Sequence, residues 1–158
     1  MDIVKTKYGI IGIEADANGI LRIDFDVKNK SLQHNIPKES FKNKNYHIIK
    51  LISLLKDYFQ GKRVNFNIKY YLSGLSDFTQ KVLYETKKVG YGELVTYREI
   101  AERIGNPKAS RAVGQALSKN PLPIVIPCHR VIRSDKSLGG YKAGLKWKKI
   151  LLKLENNL

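Results

Sequence analysis

Two short runs near the start of the chain consist mostly of apolar residues, above all isoleucine, and are typical of β-strands. They cover residues 8–15 and 20–26, and Asn18-Gly19 lies between them. Because Asn-Gly tolerates the positive φ values of a tight turn, the pattern predicts a β-hairpin. Residues 45–60 instead repeat apolar side chains at helical spacing and are followed by Gly61, which predicts a helix that packs on the hairpin.

A composition change divides the chain near residue 72. A polar, strand-like stretch over residues 64–71 leads to Ser73-Gly74, after which the pattern becomes helical. We therefore predict an N-terminal sheet-plus-helix domain, residues 1–72, and a mostly helical C-terminal domain, residues 73–158. Together they make an α+β protein.

Two capping patterns mark helix starts in the second domain. Asp77-x-x-Gln80 resembles a capping box and predicts that the first helix starts at Asp77. Thr96-x-x-Glu99 predicts the start of a short helix, which Gly105 ends.

A further predicted helix covers residues 108–120, where Asn120-Pro121 breaks it. A short helix, a tight turn and a second helix have the spacing of a helix-turn-helix motif. The second helix carries small residues around one long side chain, Arg111, with Lys108 and Lys119 near its ends. This composition fits either a tightly packed core helix or close contact with DNA. The small residues are Ala109, Ser110, Ala112, Gly114, Ala116 and Ser118.

The charge balance favours a polyanionic partner. The chain has 29 Lys and Arg against 14 Asp and Glu, a formal net charge of +15. Nucleic acid fits this charge, but an anionic membrane surface or solvated lysine-rich faces fit it too. No apolar run approaches the ~20 residues that span a bilayer, so a membrane role would have to be peripheral.

Cys128 is the single cysteine, and it lies in the apolar stretch VIPCHRVI, residues 125–132. With no disulfide partner and no signal-like apolar core at the N-terminus, we expect a cytoplasmic protein. The thiol is either a small buried hydrophobe or a nucleophile. Adjacent side chains of a strand diverge, so His129 can assist Cys128 only if the chain turns just after Pro127.

The motif Pro127-Cys128-His129-Arg130-Val131 resembles that of the O6-alkylguanine-DNA alkyltransferases, the methylated-DNA-protein-cysteine S-methyltransferases. Flanking stretches at residues 105–123 and 140–145 extend the resemblance over residues 76–155. The N-terminal half resembles the family's ribonuclease-H-like domain only in being a small sheet-plus-helix domain. It lacks the cysteines that bind zinc in some members, so no metal is implied.

This resemblance implies direct-reversal DNA repair. The alkyl group of guanine O6 is transferred irreversibly to the protein's own cysteine, in a single turnover and without a cofactor; thymine O4 stays open as a second target. The implied partner is double-stranded DNA containing O6-alkylguanine, bound through the minor groove by a monomer. No membrane partner is implied.

The resemblance also implies roles for five residues of a catalytic group. Cys128 is the acceptor thiol, and His129 takes its proton through a water. Glu155 orients and charges the histidine, and Asn120 braces the turn around the cysteine. Tyr97 helps to rotate the target nucleotide out of the duplex and then donates its hydroxyl toward guanine N3.

Other residues are implied to bind DNA or to form the alkyl pocket. Arg111 fills the vacated place in the base stack, and the helix around it enters the minor groove, with Lys108, Ala109, Ser110, Ala112 and Gly114 as contacts. The implied pocket residues are Val131, Tyr141, Lys142 and Lys148. Lys142 and Ala143 stand where many members have smaller residues, so methyl should fit while the fit of a benzyl group is open.

Two other classes of protein remain as alternatives. One is a non-catalytic helix-turn-helix DNA-binding regulator with an inert buried cysteine, and the other is a multiple-turnover cysteine hydrolase. The complete motif around Cys128 argues against the first. The missing separate His and Asn of papain-like enzymes argue against the second.

Overall fold

The computed structural model describes residues 1–28 and 46–158. The chain divides into one unit over Met1–Tyr71 and a second over Leu72–Leu158. Among the described residues, no helix is both long enough and apolar enough to cross a membrane.

The first unit starts with a three-stranded antiparallel sheet: β1 (Asp2–Thr6), β2 (Gly9–Asp16) and β3 (Gly19–Phe25), in that order. The predicted hairpin is confirmed as β2 and β3. Its turn is held by the Asp16 carboxylate, which accepts hydrogen bonds from the backbone N–H groups of Asn18 (2.7 Å) and Gly19 (3.1 Å). Strand β1 was not predicted, because Ile3 and Val4 are its only apolar residues, too few to form a recognisable strand pattern.

The helix α1 (Tyr46–Phe59) packs on this sheet, as predicted, and buries Leu51 and Leu55 completely. The predicted start at residue 45 lies outside the described residues. Ile49 is one of the apolar residues in the predicted helical pattern, but it is 51% exposed, so the buried face is narrower than predicted. Gly61 follows with a φ of +83°, a left-handed conformation that favours glycine.

The prediction of a strand over residues 64–71 is wrong. This segment makes one isolated bridge, Tyr70 beside Ile20. The backbone N–H groups of Asn67 and Ile68 donate to carbonyls two residues earlier. These tight local turns use the backbone groups that a neighbouring strand would need.

The second unit contains four α-helices: α2 (Asp77–Lys87), α3 (Tyr97–Arg103), α4 (Ser110–Ser118) and α5 (Leu145–Leu154). Two short strands, β4 (Val95–Thr96) and β5 (Val131–Ile132), pair in parallel. This pairing places Val95, two residues before α3, opposite Val131 at the end of the Pro-Cys-His-Arg-Val motif.

The capping box of α3 is confirmed: Thr96 Oγ1 accepts from the Glu99 N–H (3.1 Å), and the Glu99 carboxylate accepts from the Thr96 N–H (2.6 Å). The capping box predicted at Asp77 is wrong. The N-cap of α2 is Ser76, whose hydroxyl accepts from the Thr79 N–H, so the Ser-x-x-Thr pair one residue earlier supplies the cap.

Candidate active site

The chain turns at Pro127, as the sequence required for cooperation between Cys128 and His129. Residues Cys128–Arg130 form a one-turn 3₁₀-helix, closed by a hydrogen bond from the Arg130 N–H to the Pro127 carbonyl (3.0 Å). All three side chains of this turn are buried. The turn therefore directs a thiol, an imidazole and a guanidinium into the same protein interior.

Asn120 fastens the loop that carries the thiol. Its amide Nδ2 donates to the Ile126 carbonyl (2.9 Å) and to Cys128 Sγ (3.1 Å). Its Oδ1 accepts from the Leu122 N–H (2.9 Å). The buried Asn120 side chain, two residues after α4, thus binds the loop over residues 122–126 at both ends and also contacts the thiol.

Burial raises the pKa of the Cys128 thiol, while the Asn120 hydrogen bond and the charge of Lys148 oppose that rise. The thiol is therefore protonated at neutral pH. Since the thiolate is the nucleophilic form, this cysteine needs a base in order to react.

His129 is suited to be that base. Its Nε2 lies 2.8 Å from Glu155 Oε1, and both side chains are fully buried. Burial lowers the pKa of His129, and Glu155 opposes this effect, so the ring is neutral. Nε2 carries the proton because it faces a carboxylate, which leaves the acceptor lone pair on Nδ1.

Glu155 follows the last residue of α5 and is only 3% exposed. Burial alone would raise its pKa, but hydrogen bonds from His129 and Arg130, with the positive charge of Arg130, hold the pKa well below the ordinary 4.5. The carboxylate therefore stays ionised. From its place near the chain end it would have been read as a solvated surface residue.

Arg130 is a site residue to which the sequence analysis gave no role. Its guanidinium donates to both oxygens of Glu155, from Nε (2.9 Å) and Nη2 (2.9 Å), and from Nη1 to the Val89 carbonyl (2.6 Å). A signal was available, because a charged residue inside the apolar stretch VIPCHRVI must find a buried partner.

Lys148 lies behind the pocket and holds the loop that follows β5. Its Nζ donates to the carbonyls of Val131 (2.7 Å), Leu138 and Gly140 (3.3 Å). Burial lowers its pKa to about 8. The carbonyl of Val131, one of the predicted pocket residues, thus already accepts one hydrogen bond and has one lone pair left.

A cavity of about 660 Å³ opens at Cys128. The predicted site residues that line it are Tyr97, Ser110, Arg111, Gly114, Cys128, Tyr141 and Lys142. The structure places Lys108, Ala109, Ala112, Asn120, His129, Val131, Lys148 and Glu155 outside its lining. The lining residues that were not predicted are Arg98, Gln115, Leu117, Ser118, Arg133, Ser134, Gly139 and Gly140. Most of them lie near a predicted residue in the sequence, and this nearness could have indicated them.

The small residues of α4 do not share one face. Ser110, Gly114 and Ser118 line the cavity, whereas Ala116 is buried in the core and Ala112 is half-buried away from the cavity lining. Arg111 lines the cavity and is exposed. Lys108 and Lys119, at the two ends of the helix, are also exposed but do not line the cavity. The helix therefore combines a core face with a cavity face that carries positive charge.

Gly139 packs against Tyr97 in a conformation that favours glycine. Its φ is +69°, and a Cβ at this position would lie 2.7 Å from Tyr97 Oη. We expect Gly139→Ala to lower the free energy of unfolding by about 1–3 kcal/mol, through backbone strain and displacement of the tyrosine. Urea denaturation measures this loss.

Gly140→Ala is the matched control, because Gly140 has no positive φ and no atom within 4 Å of an added Cβ. It should change stability by less than about 0.5 kcal/mol. Equal losses in the two variants would show that contact with Tyr97 does not decide the residue at position 139.

Comparisons with known proteins match both units. The models for the DNA binding domain and the ribonuclease-like domain of 6-O-methylguanine DNA methyltransferase match residues 77–157 and 2–71. A methylated-DNA–protein-cysteine methyltransferase of Methanosarcina barkeri is 41% identical over 156 residues, which is 99% of this chain and 96% of that protein.

Solved structures agree with this result. The chain aligns with Mycobacterium tuberculosis OGT in complex with DNA at a TM-score of 0.80 and 30% identity, over 97% of this chain and 90% of that one. It aligns with an O6-methylguanine DNA methyltransferase from Methanococcus jannaschii at a TM-score of 0.68 and 34% identity, over 99% and 93%.

Proposed function

The chain belongs to the 6-O-methylguanine DNA methyltransferase family, and on that premise we propose that it repairs DNA by moving the alkyl group of O6-alkylguanine onto Cys128. The observation that carries this assignment is the position of the thiol. Cys128 lines an open cavity, accepts a hydrogen bond from Asn120 and is followed directly by the His129–Glu155 pair. An inert buried cysteine would need none of these groups.

The transfer begins with the thiol proton, which passes through a water to Nδ1 of His129. The imidazolium that forms is stabilised by the Glu155 carboxylate at Nε2. The thiolate then attacks the alkyl carbon: the bond from sulfur to carbon forms as the bond from carbon to O6 breaks. The electron pair stays on guanine, and the protein keeps the alkyl group as a thioether.

Tyr97 and the positioning of the base supply the rest of the catalysis. Burial raises the pKa of Tyr97, so its hydroxyl keeps its proton and can donate toward guanine N3 as negative charge develops there. Complete deprotonation of a free thiol raises the thiolate fraction by about 30-fold, or about 2 kcal/mol, whereas positioning can supply ~7–11 kcal/mol. Positioning of the base in the cavity is therefore a large part of the catalysis.

The target base must leave the duplex before it can reach the cavity. We propose that the protein binds duplex DNA as a monomer, in the cytoplasm, with α4 in the minor groove. The exposed Arg111, Lys108 and Lys119 on and beside α4 support this orientation. Arg111 then fills the place that the flipped nucleotide vacates.

We expect Arg111→Ala to separate opening of the duplex from binding to it. The variant should keep most of its affinity, with a salt slope lower by about one unit, because one phosphate-neutralising charge is lost. Transfer from duplex DNA at saturation should slow, whereas transfer from the free base O6-methylguanine should not, since a free base needs no flipping. Single-turnover rates on the two substrates give the comparison.

Lys108→Ala is the matched control, because it removes an equally exposed charge that precedes the same helix. It should change the salt slope by a similar amount without slowing transfer from saturated duplex. If Arg111→Ala slowed the duplex and free-base reactions by the same factor, Arg111 would support the pocket and not the open duplex.

A repair assay tests the function as a whole. A duplex with one O6-methylguanine inside a restriction site is incubated with the protein alone, and restored cutting reports guanine. We expect one restored site per protein molecule and no turnover beyond it. A DNA-binding regulator would restore none, and a multiple-turnover enzyme would exceed one equivalent.

A further inference from the structure

Glu155 accepts two hydrogen bonds from Arg130 but only one from His129. Its Oε1 accepts from His129 Nε2 (2.8 Å) and from Arg130 Nη2 (2.9 Å). Its Oε2 accepts from Arg130 Nε (2.9 Å) and from the Gly92 backbone N–H (3.3 Å). The carboxylate is therefore held in the plane of a two-pronged guanidinium pair, which fixes its orientation far better than a single contact with imidazole can.

Arg130 is itself held from three directions. It stands on the same 3₁₀-helix as Cys128 and His129. Its Nη1 donates to the Val89 carbonyl just after α2 (2.6 Å), and its guanidinium carbon lies 5.8 Å from the centre of the Tyr91 ring. The side chain is only 6% exposed, so these contacts leave the guanidinium one position.

We propose that Arg130 is a positioning residue for alkyl transfer, which holds the Glu155 carboxylate against His129 and shares its negative charge so that the imidazole stays neutral. This inference rests on the proposed function. Arg130 does not line the cavity at Cys128, so it acts through Glu155.

The charges around His129 define how this sharing works. Glu155 faces the ring from the end of α5, Arg130 from its own 3₁₀-helix and Lys148 from α5. A carboxylate alone favours the imidazolium, and each of the two cations opposes it. Because Arg130 binds both oxygens of Glu155, its loss removes the larger of the two cationic effects that oppose the imidazolium.

Lys87 is a second cation near the Arg130 guanidinium. Lys87, at the end of α2, has its pKa lowered to about 8 by burial and by the nearby charge of Arg130. The guanidinium thus acts on groups beyond its hydrogen-bond partners, so replacing it with a neutral side chain should change the proton affinity of the imidazole.

The test is the pH profile of single-turnover methyl transfer from saturated O6-methylguanine duplex, between about pH 5 and 9, where an imidazole titrates. Transfer requires neutral His129, so the rate falls on the acid side. In Arg130→Met the imidazole binds its proton more strongly, and the acid limb should move up by roughly one pH unit. The plateau should fall about tenfold, since a supporting partner of the histidine is lost.

Two further variants separate charge from shape. Arg130→Lys keeps the charge but not the two-pronged contact, so its plateau should fall while its acid limb stays near that of the wild type. Arg103→Met makes the same neutral change at an exposed position in the last turn of α3, and its profile should match the wild type. Thermal melting verifies folding, and Arg130→Gln replaces Arg130→Met if the latter does not fold, with the same shift expected.

The outcomes distinguish the two claims. A wild-type protein that takes up no methyl group at any pH contradicts the proposed function itself. If the wild type transfers normally but Arg130→Met and Arg130→Lys lower the rate equally at every pH, with no movement of the acid limb, Arg130 is structural only and the positioning role is wrong.

Discussion

Replacing Cys128 with serine should abolish methyl uptake and leave DNA binding intact. A hydroxyl gives up its proton far less readily than a thiol and is the weaker nucleophile, so we expect the transfer rate to fall by at least ~10³-fold. The fold should survive, because serine is similar in size and its oxygen can accept the hydrogen bond that Asn120 donates to Sγ. Mass spectrometry after incubation with excess methylated duplex measures uptake, and fluorescence anisotropy measures binding.

The binding measurement makes this variant decisive. Unchanged affinity with no uptake separates loss of the acceptor from loss of the fold. A methyl group on the serine variant would mean that another side chain accepts it, and the assignment of Cys128 would then be wrong.

Replacing Glu155 with glutamine should damage both the fold and the reaction. The change leaves the buried guanidinium of Arg130 without its counter-charge, which costs about 3–5 kcal/mol of the free energy of unfolding. It also removes the carboxylate that stabilises the imidazolium, so transfer should slow by at least ~10²-fold in the molecules that remain folded. Chemical denaturation and single-turnover kinetics measure the two losses separately.

Glu102→Gln is the matched control, since Glu102 pairs with Arg98 on the exposed surface of α3 (3.0 Å). An exposed pair contributes about 0–1 kcal/mol, so this variant should be close to the wild type. If both variants lost similar free energy of unfolding, burial would not make the Arg130–Glu155 pair more stabilising than an exposed pair.

The stability difference for Glu155→Gln should also depend on pH. The pKa of Glu155 is depressed in the folded protein, so its contribution is fully present above the ordinary value of 4.5 and is lost as the pH falls toward the folded pKa. The gap between variant and wild type should therefore narrow as the solution is acidified below pH 4.5.

Features with local chemical causes could be predicted from the sequence. The β2–β3 hairpin follows from Asn18-Gly19, and the start of α3 follows from reciprocal bonds between Thr96 and Glu99. A turn after Pro127 was the condition for cooperation between Cys128 and His129, and a 3₁₀-helix begins there. In each case a few neighbouring residues determine the backbone.

Features that depend on distant partners could not be predicted in this way. Strand β1 exists because β2 offers an edge to pair with, and residues 64–71 turn locally although their composition suits a strand. The burial of Glu155 depends on α5 bringing it to the turn that carries His129 and Arg130, 26 and 25 residues away in sequence. The resemblance to a known family supplied a role for Glu155, whereas the role proposed for Arg130 rests on its contacts with Glu155 and Val89.

The most direct test of the central claim is the intact mass of the wild-type protein after incubation with excess duplex that contains O6-methylguanine, followed by peptide mapping. We expect each molecule to gain one methyl group, the group to lie on Cys128, and guanine to appear in the DNA in equal amount. An unmodified protein beside repaired DNA, or a methyl group on any other residue, would contradict that claim.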